Sequence, residues 1–200
     1  MDTSGTLAGI VCRELEPRLW PQLEALFGMH GACGGCWCQW WRIAGVEHWK
    51  DVQGEVAHSR LCRQVEEGYA HGVLAYDGDE AVGWCSFEPR ASLPRLQRSP
   101  RFKGRPAEGV WFVGCFFIQR GWRRRGLAEV LLGHAIGVME REGARAVEAV
   151  PTATYGRPQA DAFLFTGTYG MFERLGFHTM MDARGRTTVM RREFISGVQQ

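Results

Sequence analysis

The sequence predicts an α/β domain (α+β in that antiparallel strands accompany a parallel pair), and three observations carry that reading. An apolar run from Val110 to Ile118, an amphipathic helical stretch and a second apolar run from Ala144 to Val150 follow in the order of a right-handed βαβ unit. Two short apolar runs, Gly72 to Tyr76 and Ala81 to Phe87, flank Asp77-Gly78-Asp79-Glu80 and read as a hairpin. Phe177 to Met181 and Thr187 to Glu193 flank Asp182-Ala183-Arg184-Gly185 as a closing antiparallel pair.

Taken in order, Leu7 to Arg13 alternates as a first strand, and Pro17 with Leu19, Leu23, Leu26 and Phe27 opens a helix. A second helix is expected from Asp51 to Glu67. The stretch from Pro89 to Pro106 holds four prolines and reads as a loop with room for a short helical turn. Val110 to Ile118 is apolar on both faces, as a covered strand is, and Gly114 inside it marks a bulge, a close approach or tight packing. The helix after it shows an apolar face of Leu127, Val130, Leu131, Ala135, Val138 and Met139, with Gly143 as its stop. A further helix from about Gly167 to Leu175 ends at Gly176.

The 200 residues suit one domain, in which residues 1–70 supply helices and a Cys/Trp block and 72–193 the sheet. An apolar share of 45% with 12% aromatics is enough for a core and excludes intrinsic disorder. No apolar run nears the ~18 residues of a membrane helix, and Asp2 stands where a signal peptide carries basic residues, so a cytoplasmic protein is expected. Seven cysteines, an odd number, argue for reduced thiols over a disulfide framework.

A net charge of +2 speaks against a general nucleic-acid binder. Its distribution is uneven: Arg90 to Arg125 holds ten basic residues and one acid, which is +9 and leaves −7 for the rest. That local field suits a small polyanion such as a nucleotide phosphate, or it is a solvated face.

The turn Arg123-Arg124-Arg125-Gly126-Leu127-Ala128 lies between the buried strand and the helix. A helix start leaves backbone N–H groups without partners at the positive end of the dipole, an anion site. Gly126 and Ala128 let the backbone approach an oxygen, and the arginines add charge-assisted bonds.

These six residues resemble the Arg/Gln-x-x-Gly-x-Gly/Ala signature of the GNAT superfamily of N-acetyltransferases, with Trp122 at the aromatic position before it. Met171-Phe172-Glu173-Arg174-Leu175-Gly176-Phe177 resembles that family's second signature. More loosely, Gly83-Trp84-Cys85, Pro89-Arg90 and Cys33-Gly34-Gly35-Cys36-Trp37-Cys38 resemble a bacterial subgroup of it. The resemblance implies a mixed twisted sheet of about seven strands, with helices on both faces and a splayed central parallel pair. It implies acetyl-CoA as acyl donor, its pantetheine arm along the backbone of Phe116, Phe117 and Ile118. The diphosphate would sit on Arg123, Arg124, Arg125, Gly126, Leu127 and Ala128, with Phe172 beside the cofactor. The acceptor would be an amine, and the protein a monomer or homodimer.

An amine with a pKa of about 10 is mostly protonated at neutral pH, so a base or a water chain must take its proton. Glu148, alone in an apolar strand, is the first candidate, and Glu88 at the end of the hairpin the second; an outward-facing surface carboxylate is the plain alternative for each. The family's usual tyrosine acid is replaced here by Phe172, and Tyr169, three residues earlier, is expected to take over unless water does. A strand backbone N–H would hold the oxyanion.

His30, Cys33, Cys36 and Cys38 lie close together, but a second metal knuckle is missing, so no metal is expected and loop packing over the acceptor pocket is preferred. The readings left open beside an acetyltransferase are a regulatory domain that binds acetyl-CoA without transferring it, a metal or redox module, and a tryptophan-rich nucleic-acid surface.

Overall fold

The computed structural model describes residues 7–152, 164–181 and 187–194. Its strands are β1 (Ile10–Glu14), β2 (Gly72–Asp77), β3 (Glu80–Pro89), β4 (Val110–Ile118), β5 (Ala146–Ala149), β6 (His178–Met181) and β7 (Thr187–Glu193). They form one seven-stranded sheet in the order β1-β2-β3-β4-β5-β7-β6. All neighbouring pairs are antiparallel except β4 and β5. The helices are α1 (Trp20–Phe27), α2 (Trp49–Val52), α3 (Glu55–Glu66), α4 (Pro94–Arg98), α5 (Leu127–Arg141) and α6 (Tyr169–Arg174).

The two sheet faces are covered by different helices. On one, α5 sets Leu127, Leu131, Ala135 and Met139 against Val73, Val82, Cys85 and Phe87. On the other, Leu23 and Phe27 of α1 and Ala57, Leu61 and Val65 of α3 bury Leu74, Tyr76 and Trp84. Among the described residues no helix is long and apolar enough to cross a membrane.

Hairpin, central strand, crossover helix and closing antiparallel pair follow the sequence reading, and three expectations shift. The first strand begins at Ile10 rather than Leu7, because Leu7 accepts the Ile10 amide in a turn that Gly9 completes at φ +95°. The helix expected from Asp51 to Glu67 is broken at Gly54, whose φ of +80° a helix cannot carry and whose amide bonds to the Gly35 carbonyl. Val130 lies 38% exposed, and Leu132 and Ile136 take its place in the buried stripe. Within the closing pair, whose order in the sheet the sequence does not address, β7 lies between β5 and β6. The turn expected at 182–185 lies outside the described residues.

The parallel ladder stops early, and this opens the site. β4 and β5 pair only from Val110↔Ala146 to Val113↔Ala149, while β4 continues to Ile118. Beyond that point the segment 164–168 takes the place of β5: Phe116 N–H donates to the Phe165 carbonyl at 2.6 Å, and Thr152 forms a parallel bridge with Thr168.

Candidate active site

A cleft of about 410 Å³ lies where β4 outruns β5. One wall is Phe116, Phe117 and Ile118, and the floor is Arg123, Arg124, Gly126, Leu127 and Ala128. Ala32 and Cys33 close one side, while Leu164, Phe165, Gly167 and Thr168 close another with Met171 and Arg174 of α6. The two stretches singled out in the sequence for an acyl donor therefore meet in one cavity.

Local conformation makes the floor an anion site. Gly126 is left-handed at φ +86° and Arg124 at φ +60°, so the turn folds back before α5 begins. The first turn accepts at Gly126, whose carbonyl receives the Glu129 and Val130 amides at 3.0 and 3.3 Å. The amides of Leu127 and Ala128 donate to nothing among the described residues, and they stand at the positive end of a fifteen-residue helix. Arg123 is held in place by donating Nε–H to the Ile118 carbonyl at 2.9 Å. Arg125 instead turns toward the Trp122 ring, 5.2 Å away, and does not line the cleft.

Other expectations are corrected. Phe172 is fully buried between Phe116 and Phe177, with ring centroids 6.2 and 4.9 Å away, so it braces the cleft from behind and does not reach its surface. The Phe116 amide, expected to face the donor or an oxyanion, is taken by Phe165. Tyr169 is half-buried at the start of α6, between Thr168 and Met171 of the wall, without itself lining the cavity.

Neither expected carboxylate reaches the cleft. Glu148 is 0% exposed, its Oε2 accepting from Arg90 at 2.7 Å and its Oε1 from Arg105 and Arg191 at 2.9 and 2.8 Å. It pairs in register with Phe112, well before the cleft wall begins at Phe116. A fully buried carboxylate held by three guanidinium groups anchors structure and does not face an acceptor in the cleft. Glu88 is buried too, accepting from Arg42, from the His71 amide at 3.0 Å and at His71 Nδ1 at 2.8 Å. Among the described residues the carboxylate that lines the cavity is Glu129, and it is paired with Arg174 at 2.6 Å.

The basic run therefore divides by task. Arg90 and Arg105 neutralise Glu148, Arg95 stacks 3.5 Å over Trp40, and Arg123 and Arg124 line the cleft. Sequence reasoning missed Thr168, Met171, Arg174 and the 164–168 segment, which carry no signature of their own except Met171 and Arg174 in the second motif.

The Cys/Trp block is mostly packing, and all seven cysteines are free thiols. Its loop, Gly31–Gly35, carries Ala32 at φ +67° and ψ −84° and brings Ala32 and Cys33 to the cleft. Cys38 Sγ accepts from Trp84 Nε1–H at 3.2 Å. The neighbouring Cys115 thiol lowers Cys38 despite burial, and Cys38 in turn raises Cys115. Burial, then the neighbouring Cys38, pushes Cys36 up to about 12. Among the described residues no group of three or more His, Cys, Asp or Glu is arranged to hold a metal ion.

This combination of fold and cleft is that of an acyl-CoA-dependent transferase. The chain matches the Acetyltransferase (GNAT) family over residues 36–177, and it belongs to that family. It is an acetyltransferase that uses acetyl-CoA. Similar solved structures include a GCN5-related N-acetyltransferase from Kribbella flavida (17% identity, TM-score 0.55, 94% of this chain and 100% of that one). Another is yncA from Salmonella typhimurium, solved with acetyl-CoA (15% identity, TM-score 0.56, 96% and 97%). A third is the PaiA N-acetyltransferase from Thermoplasma acidophilum in complex with coenzyme A (12% identity, TM-score 0.50, 92% and 99%). No curated protein matches the sequence.

Proposed function

We propose that the chain acetylates a primary amine of a small molecule or protein by direct attack of the amine on the thioester, within the cleft between β4 and 164–168. The observation that carries this is the convergence of the Phe116–Ile118 wall with the Leu127 and Ala128 amides, which donate to nothing among the described residues, and with Arg123 and Arg124. Acetyl-CoA supplies an activated acyl group. Its diphosphate suits the amides and guanidinium groups, and its pantetheine arm suits the apolar surface of Phe117, Leu164 and Met171. Residues 1–70 are read as the acceptor side of one domain, since Ala32 and Cys33 reach the cleft from there.

With Glu88 and Glu148 committed to arginine and histidine, proton removal is assigned to water in the open cleft. Tyr169, which stands beside Thr168 outside the cavity lining, is assigned to protonate the leaving thiolate through a water in the cleft. Release of free thiol from acetyl-CoA over a panel of amines tests the function directly. Turnover is expected with at least one amine, and kcat/KM should rise with pH along the acceptor's own ionisation, near a pKa of about 10. Tyr169→Phe should lower kcat across about pH 6 to 9, and an unchanged rate removes Tyr169 from the mechanism. Absence of both thiol release and acetyl-CoA binding heat overturns the assignment.

A further inference from the structure

β4 contains a bulge, and a tryptophan from the Cys/Trp block holds it. In the β3–β4 ladder Ser86 pairs with Cys115 and Phe87 with Val113, which leaves Gly114 as the extra residue. The faces change accordingly: Trp111 and Val113 face α5, and the next residues to do so are Phe116 and Ile118, three positions on. Phe117 points to the opposite face, edge-on to Phe27 at 5.5 Å. Without the bulge the wall of the cleft would present the other set of side chains.

The Gly114 carbonyl accepts the indole N–H of Trp41 at 2.8 Å. A Cβ at Gly114 would lie 3.1 Å from Trp41 Cδ1 and 3.3 Å from Ser86 Oγ, so the ring rests closely on the strand and would have to give by a few tenths of an ångström to admit a side chain there. Trp41 is fixed in turn from two sides, edge-on to Phe112 at 5.2 Å and with its own carbonyl accepting the Arg95 amide at 3.3 Å.

We infer that Trp41 is a positioning residue for acetyl transfer: by donating to the Gly114 carbonyl it locks the bulge that sets Phe116 and Ile118 on the α5 side of the cleft wall and Phe117 on the other. This rests on the function proposed for the cleft. The anion floor is built from a different segment, so loss of the indole N–H is expected to separate turnover from donor binding. Trp41→Phe keeps an aromatic ring and removes the donor. Its kcat should fall about tenfold, with acetyl-CoA affinity by calorimetry within about twofold of the parent. Amide exchange over 114–118 should quicken about tenfold while β2 stays as protected as in the parent. Trp49→Phe, which alters a ring edge-on to Trp40 and so leaves Trp41 and Arg95 their own contacts, serves as the unchanged control.

Gly114→Ala, which crowds the indole where it meets the strand, should lower turnover in the same direction and serves if Trp41→Phe does not fold. If kcat per coenzyme-A-binding site and exchange over 114–118 both match the parent, the inference is overturned. A parent protein that neither binds coenzyme A nor releases thiol sinks the functional reading instead.

Discussion

At Gly126 the constraint is the backbone. A Cβ there would meet only Leu7 Cδ1 at 3.7 Å, an ordinary contact, but φ is +86°, where an L-residue is strained by about 1–2 kcal/mol. Gly126→Ala is therefore expected to weaken acetyl-CoA binding about tenfold, measured by calorimetry, because relaxing the turn re-aims the Leu127 and Ala128 amides. An unchanged affinity would mean that those amides do not face the diphosphate. Glycine beside tryptophan is a recurring device here: Trp37 lies on Gly31, Trp84 on Gly72 and Trp41 on Gly114. The sequence shows 26 glycines and eight tryptophans without showing which pairs meet, since the partners lie six, twelve and seventy-three positions apart.

Between elements, the buried Glu148 cluster ties three segments together. Arg90 and Arg105 bring the 90–106 loop onto β5, and Arg191 brings β7; Arg90 also donates to the carbonyls of Arg105, at 2.7 Å, and of Pro106. Glu148→Gln removes the negative charge that three guanidinium groups surround, so stability to urea is expected to fall by about 3 kcal/mol. The folded variant should keep acetyl-CoA affinity within about twofold. Unaltered stability together with abolished turnover would return Glu148 to the role of base. Strand pattern alone showed an ionisable residue among apolar ones, and that much was legible. Which groups face it was not, because its three partners come from positions 90, 105 and 191 and converge only when β4, β5 and β7 assemble.

Across the whole molecule the cleft joins β4, the start of α5, the 31–35 loop and α6, so a donor bound there touches all four. Binding to the native state alone adds about 2.7 kcal/mol at a ligand concentration of 100 times Kd. At about 2–4 °C per kcal/mol for a chain of this size, acetyl-CoA should raise Tm by about 5–10 °C in a thermal melt. Dephospho-coenzyme A, which keeps the diphosphate, should give most of that shift, and pantetheine little. Equal shifts from pantetheine would place the binding energy in the apolar wall and not at the helix start.

Local sequence determined the strands around the hairpin, the central apolar strand, α5 and the glycine turn before it. Each is set by short-range terms: apolar periodicity, a left-handed glycine, and helix-end donors that no nearby residue can satisfy. Only the tertiary structure decided that Phe172 is buried, that Glu148 and Glu88 are enclosed by cations, and that Phe165 bonds to the Phe116 amide. Those outcomes depend on contacts between segments far apart in the chain, where the energy of burying a charge or a backbone donor is fixed by whichever partner arrives.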